Sequence, residues 1–248
     1  MDALIIAAGF GSRLREISDS KPMTPVAGIP LLELGVRQAK AAGAARVVVV
    51  TGHQADQLEA ALPALAQRAG IAVEPARVDN WSQSNGWSVL AGAEQIAGDY
   101  LLMMSDHIFS APILTGLARQ GGADRGVTLA VDRRIDDPLI DPDDATWVER
   151  TDSGFIRAIG KTIPLYDAVD CGAFLATPEL AEAIRGAIAD GQAGSLSEGM
   201  QRLADQGRAA TWEIGGAWWL DVDDPRAHEL AEAQAPHQLA EVYAAVLG

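Results

Sequence analysis

Apolar residues in this chain come in short runs separated by longer stretches of helical spacing. Ala3 to Ala7, Val47 to Val50 and Tyr100 to Met104 are near-continuous apolar or β-branched runs, the pattern of strands buried on both faces. Between them, residues 31–43, 54–69 and 86–97 repeat apolar positions at the period of a helix, and a short run at 71–74 adds a further strand. Strands alternating with helices predict an α/β fold of three layers, a mixed and mostly parallel central sheet covered on both faces. Ligands of such sheets gather at the carboxyl ends of the strands. The loops after Ala7 and Ser105 are therefore expected to open into one cleft.

The second half is less regular. Strands are expected at 127–133, 146–150, 155–160 and 169–176, then helices at 178–190 and 196–206. Helix starts are marked chemically: Thr177-Pro178 sets a cap before a first-turn proline, Ser195 and Glu198 form a capping box, and Asp224-Pro225 opens the C-terminal helices. Asp136 to Asp144 holds five aspartates and two prolines in nine residues and reads as a solvated loop, with metal binding a remote alternative because it lacks the spacing and glycine of an EF-hand. There is no internal repeat, and the 248 residues suit one domain with a substantial core.

Charge narrows the ligand classes. With 19 Lys and Arg against 34 Asp and Glu, the net charge of −15 argues against a nucleic-acid or anionic-membrane surface. An anionic small ligand would need the few cations gathered locally, which draws attention to Arg13, Lys21 and Lys161. The single cysteine, Cys171, cannot form an internal disulfide, and Met1-Asp2 opens directly into a strand without a leader pattern, so a cytoplasmic location is expected. No apolar run reaches the roughly 18–20 residues that span a bilayer, and direct membrane insertion is not expected.

The densest chemical signal is Ala7-Ala8-Gly9-Phe10-Gly11-Ser12-Arg13-Leu14, followed by Lys21-Pro22-Met23-Thr24-Pro25. Glycines after a buried strand let the backbone turn sharply and bring its N–H groups close to a phosphate. Serine, arginine and lysine then add a hydroxyl donor, a bidentate cation and a point charge. A Walker loop is excluded, because its glycines are four residues apart and its lysine follows directly. A dinucleotide fingerprint is disfavoured, because Leu14 stands where its third glycine belongs.

The glycine loop and Lys21-Pro22 resemble the signature of sugar-phosphate and alcohol-phosphate nucleotidyltransferases. The resemblance implies that Ala8, Gly9, Gly11, Ser12, Arg13 and Lys21 hold a nucleoside triphosphate. It divides the single domain 1–248 into a nucleotide-binding half, 1–110, and an acceptor-binding and C-terminal helical half, 111–248. It also implies that Asn85, Gly86 and Ser88, at the end of the polar turn Asn80 to Gly86 and the start of the helix that follows, read the base edge.

Two apolar runs end in carboxylates: Tyr100 to Ser105 in Asp106-His107, and Trp218-Trp219-Leu220 in Asp221-Val222-Asp223. Mg²⁺ prefers oxygen ligands and bridges phosphates through one or two protein carboxylates. Asp106, which also faces the nucleotide, is placed to hold it, and the resemblance, whose Trp-x-Asp element supplies a second ligand, implies Asp221, with Asp223, on the same side of an extended segment, as the alternative. By resemblance Lys161 grips the acceptor phosphate, and with Arg13 and Lys21 makes up the catalytic cations. His107, Asp170 and Trp218 complete the acceptor site, while Cys171 packs in its strand.

The segments Ser84 to Ser88, Ser105 to Ser110, Val169 to Phe174 and Trp218 to Asp223 are similar to a narrower group, the cytidylyltransferases that use inositol 1-phosphate. The partners implied are CTP and a phosphorylated polyol or alcohol, with no nucleic acid; the oligomeric state, a homodimer included, stays open. Two departures from the group are expected, that a membrane-embedded partner domain is not fused and that Cys171 stands where a hydroxyl residue belongs. Competing expectations are another acceptor (phosphocholine, an aminoalkyl phosphonate or a sugar 1-phosphate) and an inactive nucleotide-binding subunit. A choline site would use an aromatic cage, for which Trp87, Tyr166, Trp218 and Trp219 are available.

Overall fold

The apolar runs become the centre of a nine-stranded sheet in the computed structural model, which describes residues 1–14, 17–121 and 124–247. The first half comprises β1 (Asp2–Ile6), β2 (Pro25–Val26), β3 (Ile29–Pro30), α1 (Leu31–Ala41), β4 (Arg46–Thr51), α2 (Ala55–Ala69), β5 (Ala72–Arg77), α3 (Asn85–Ala93), β6 (Tyr100–Met104), β7 (His107–Phe109) and α4 (Ala111–Leu117). The second comprises β8 (Val127–Asp132), β9 (Trp147–Arg150), β10 (Ile156–Gly160), β11 (Ala168–Ala176), α5 (Pro178–Ala189), α6 (Leu196–Asp205), β12 (Ala209–Glu213), β13 (Trp219–Asp221), α7 (Pro225–Gln238) and α8 (Ala240–Leu247).

β6, β1, β4 and β5 lie side by side and parallel, with Leu4 of β1 between Val48 and Leu102. Side chains alternate between the two faces of a strand. Leu4 and Ile6 meet α3, α5 and α6 on one face, while Ala3 and Ile5 meet α1, α2 and α4 on the other, which makes the three expected layers. The C-terminal part of the chain extends the same sheet antiparallel: β11 pairs with β6, then with β8 and β9 on its other side, and β12 runs parallel to β8. The marked helix starts are real caps. Thr177 accepts from the Glu179 N–H, Ser195 and Glu198 form the reciprocal box, and Asp224 accepts from Ala227.

Two features outside the sheet position the site. β7 and β13 form a separate antiparallel pair that sets His107 opposite Asp221. The β2–β3 hairpin follows Lys21 and turns through Ala27 and Gly28, both with positive φ (46° and 85°). The turn is fastened from the C-terminal helices: Glu232 accepts the Ala27 N–H at 2.7 Å, His228 donates to the Pro25 carbonyl, and Tyr243 donates to the Val26 carbonyl at 2.8 Å. Under these bonds lies a small third core of Leu14, Val26, Leu220, Val222 and Leu239.

Differences from the sequence expectations are local. The strand expected at 71–74 runs on to Arg77, accommodating Pro75 at the sheet edge, and the helix expected to reach residue 97 ends at Ala93. β12, α4 and the β2–β3 hairpin had no sequence expectation, being short or lacking a clear period. Among the described residues no helix is long and apolar enough to cross a membrane.

Candidate active site

β1 delivers the chain into the glycine loop at the carboxyl edge of the sheet. Ala8 is buried, its carbonyl accepting the His53 N–H at 2.9 Å, while Gly9 and Ser12 are exposed. Gly11 needs to be glycine for two reasons. Its φ is +61°, and a Cβ there would stand 2.5 Å from Cβ of Lys21. That close approach lays Lys21 against the loop, and buried Leu14 anchors the single 3-10 turn Ser12–Leu14 that carries Arg13.

The expected cations and carboxylates converge here. Lys21 Nζ is 2.6 Å from Asp106 Oδ2 and is also paired with Asp223. Arg13 pairs with Asp223 and Asp144 and approaches Asp141 at 3.6 Å. Lys161 Nζ is 2.5 Å from Asp144 Oδ1. His107 Nδ1 is 2.8 Å from Asp106 Oδ1 and 3.7 Å from Asp221 Oδ1. Burial works against the charges of Arg13, Lys21, Asp106, His107 and Asp144, and their partners override it. Asp106 and Asp223 help raise the Lys21 ammonium above its ordinary value, and Lys21 and His107 hold the Asp106 carboxyl well below the carboxylate range. Burial also opposes the imidazolium of His107, but Asp221 and Asp106 raise it to about 9. For Asp221 the balance goes the other way: burial, with Asp106 and Asp223 nearby, pushes its carboxyl up.

These groups fit a divalent cation. Asp144, Asp221 and Asp223 place carboxylate oxygens within 4.8 Å of one another, and oxygens of Asp106 and Asp221 lie equally close beside His107. Asp221 Oδ1 is buried and has no hydrogen-bond partner. A buried anionic oxygen left unpaired is costly, and an oxygen-preferring cation would relieve it. Asp221 and Asp223 both stand in this cluster, where the sequence left a choice between them.

A cavity of about 300 Å³ opens beside this cluster and is lined by Asn85, His107, Lys161, Asp170 and Trp218, all five expected site residues. Asn85 Oδ1 accepts the Leu196 N–H at 2.9 Å, tying the cavity edge to α6. Gly86 and Ser88, by contrast, are buried on α3 and do not line the cavity. Gly86 is where α3 meets the Gly194 carbonyl, an approach that a side chain would block. Trp218 Nε1 donates to Gln234 at 3.0 Å, which leaves its ring along the cavity wall. Cys171 is fully buried and burial pushes its thiol up, so it is packing and not an activated nucleophile.

Sequence reasoning missed three parts of the site. The Asp136–Asp144 loop is not merely solvated, since Asp144 reaches in to hold both Arg13 and Lys161. Its aspartates are indistinguishable in sequence, and only the fold selects one. Asp132 at the end of β8 is buried, takes a forked bond from Arg134, and accepts from Trp219 Nε1 at 2.8 Å. Gly172 (φ +76°) sits where β11 shifts register, and a Cβ there would stand 2.5 Å from His107 Cδ2. A glycine inside an otherwise apolar strand was the available signal.

The same register shift exposes Asp170 to a measurable pH effect. Its Oδ1 accepts the Gly172 N–H at 2.6 Å, yet burial outweighs this bond and the His107 charge and pushes the carboxyl up to about 6. A carboxyl whose folded pKa lies above its unfolded value of about 3.9 costs stability once pH rises through that window. Asp170→Asn is expected to stabilise the protein by up to about 3 kcal/mol at pH 8, with the gain gone below about pH 4. Urea melts at the two pH values check this, and equal gains at both would refute the burial account.

A glycine loop with gathered cations, facing an acidic pair across the carboxyl edge of a three-layer sheet, is the arrangement of the nucleotidyltransferase class. The chain belongs to the MobA-like NTP transferase domain family, whose model matches residues 3–203. It is 35% identical over 234 residues to the bifunctional IPC transferase and DIPP synthase of Rubrobacter xylanophilus, covering 93% of this chain and 51% of that protein. It is 28% identical to the protein of the same name from Aquifex aeolicus, covering 93% and 50%. The chain thus spans about half the length of these curated relatives. Among solved structures, the inositol-1-phosphate CTP transferase from T. maritima superposes with a TM-score of 0.82 at 22% identity, covering 95% of this chain and 96% of that one. A UDP-glucose pyrophosphorylase complexed with UDP-glucose superposes with a TM-score of 0.75 at 16% identity, covering 95% and 98%. At these identities the two structures establish the shared fold.

Proposed function

We propose that the chain is a cytidylyltransferase that transfers CMP from CTP to inositol 1-phosphate, releasing pyrophosphate and forming CDP-inositol. The observation that carries this reading is the convergence of Arg13, Lys21 and Lys161 with Asp106, Asp221 and Asp223 beside one cavity. The choice of nucleotide and acceptor is supported by the names of the Rubrobacter and Aquifex relatives and of the T. maritima structure.

An oxygen of the acceptor phosphate attacks the α-phosphorus in line, forming a new P–O–P link as the bond to the departing pyrophosphate breaks. A phosphate monoester is largely ionised near neutral pH and needs no strong base, so positioning and charge neutralisation supply the catalysis. Arg13 and Lys21 grip the triphosphate against the loop Ala8 to Ser12, Lys161 aligns the attacking phosphate, and Asn85 lies where the nucleotide meets the cavity. Asp106, Asp221 and Asp223 would hold Mg²⁺, which supplies charge neutralisation on the phosphate oxygens when bound. The polyol would lie between Asp170 and Trp218.

Pyrophosphate release over a matrix of the four common NTPs and a panel of phosphorylated acceptors, with Mg²⁺, tests the reading. CTP with inositol 1-phosphate is expected to be the fastest pair; a preference for dTTP or UTP with a sugar 1-phosphate would replace it. Release with no pair would instead favour a binding subunit.

The chain's own carboxylates hold the cations that the phosphates need. Because Asp144 occupies Arg13 and Lys161 together, Asp144→Asn is expected to lower the nucleotide KM by about 3- to 10-fold at low ionic strength. A raised KM would identify Asp144 as a ligand and not a competitor.

A further inference from the structure

We infer that His107 is a positioning residue for the cation-binding carboxylates and not a contact to the acceptor, an inference that rests on reading Asp106 and Asp221 as cation ligands. An ionised carboxylate can only accept hydrogen bonds, so the 2.8 Å contact fixes the proton on Nδ1, which donates to Asp106 Oδ1. The other oxygen, Oδ2, faces Lys21 at 2.6 Å. One oxygen of Asp106 is thus committed to a rigid ring and the other to a flexible ammonium. A cation that takes Oδ2 from Lys21 meets a carboxylate whose orientation His107 has already set.

The ring itself is held on every side. It stacks on Trp219 with ring centres 5.8 Å apart and planes 12° from parallel, and on Phe109 at 6.3 Å and 27°. Its Cδ2 edge lies against the backbone of Gly172. Trp219 is pinned by its bond to Asp132, which Arg134 holds in turn. Pairing of β7 with β13 places His107 opposite Asp221, whose Oδ1 is 3.7 Å from Nδ1 and unbonded. The imidazole therefore bonds one carboxylate and stands beside the other, leaving Asp221 lone pairs for a cation. Groups that fix a metal-binding carboxylate typically change affinity or activity 10–100-fold when removed.

Two substitutions separate this role from simple space filling. In His107→Asn the amide nitrogen falls near the position of Nδ1 and can still donate to Asp106, whereas in His107→Gln it falls near that of Nε2 and cannot. Mn²⁺ affinity, measured by electron paramagnetic resonance in the presence of CTP and without acceptor, is the readout. His107→Gln is expected to weaken Mn²⁺ binding by about 10-fold or more, and His107→Asn by no more than about threefold. Equal losses, or a larger loss for His107→Asn, would overturn the inference, as would a raised KM for inositol 1-phosphate with unchanged Mn²⁺ binding. Failure of the unaltered protein to bind Mn²⁺ would overturn the reading of the carboxylates themselves. Circular dichroism of both variants confirms that they are folded before they are compared.

Discussion

Asp106→Asn is expected to lower the turnover number by about 10³-fold, equivalent to roughly 4 kcal/mol of transition-state stabilisation, while the protein stays folded. The carboxylate is half-buried between two donors, Lys21 and His107, and its charge is held on by both. An amide of the same shape has no charge to offer a cation and turns one N–H group toward those donors. The fold survives because Lys21 keeps Asp223 and the apolar run of β6 is untouched. Pyrophosphate release under saturating substrates, with a thermal melt alongside, checks both halves. A turnover number within threefold of the unaltered protein would remove Asp106 from the site.

Gly172→Ala is expected to cost about 3 kcal/mol of stability and most of the activity. An alanine at φ +76° pays roughly 1–2 kcal/mol for its left-handed backbone. The new Cβ would also stand 2.5 Å from His107 Cδ2 and 2.8 Å from Cγ, so the ring that holds Asp106 must move. Gly191 is the control, since its φ of +84° is equally left-handed but nothing lies within 4 Å of the Cβ position. Gly191→Ala isolates the backbone term, and urea unfolding of the two variants reads the difference. If both cost the same, the contact between β11 and His107 carries no energy.

The central sheet was legible because its strands are buried on both faces: the run Val47 to Val50 admits few alternatives, and helices of clear period separate it from its neighbours. Arg13 and Lys21 were legible from the glycine loop and Asp106 from the apolar run it ends, while Lys161 and Asp221 were legible only through the family resemblance. What escaped were residues whose importance lies in what they touch. Asp144 is one of five aspartates in its loop and becomes distinctive only when the chain folds back onto Arg13. Gly86 looked like a base contact and proves to be a point of helix packing, because a glycine required by a neighbouring backbone reads the same as one required by a ligand. The β2–β3 turn was invisible because Ala27, a residue that avoids positive φ, takes that conformation with its N–H donating to Glu232 on a helix far along the chain.

The pairing of β7 with β13 has a consequence for how this protein comes into being. His107 and Asp106 leave the ribosome long before Asp221, the residue that β13 sets opposite His107. Closing so long a loop is entropically slow, and a chain emerging N-terminus first can lay down β1, β4, β5 and β6 well ahead of that event. Cation binding should therefore appear only in the last stage of folding, making it a sensitive marker of completed chains in a refolding or translation experiment.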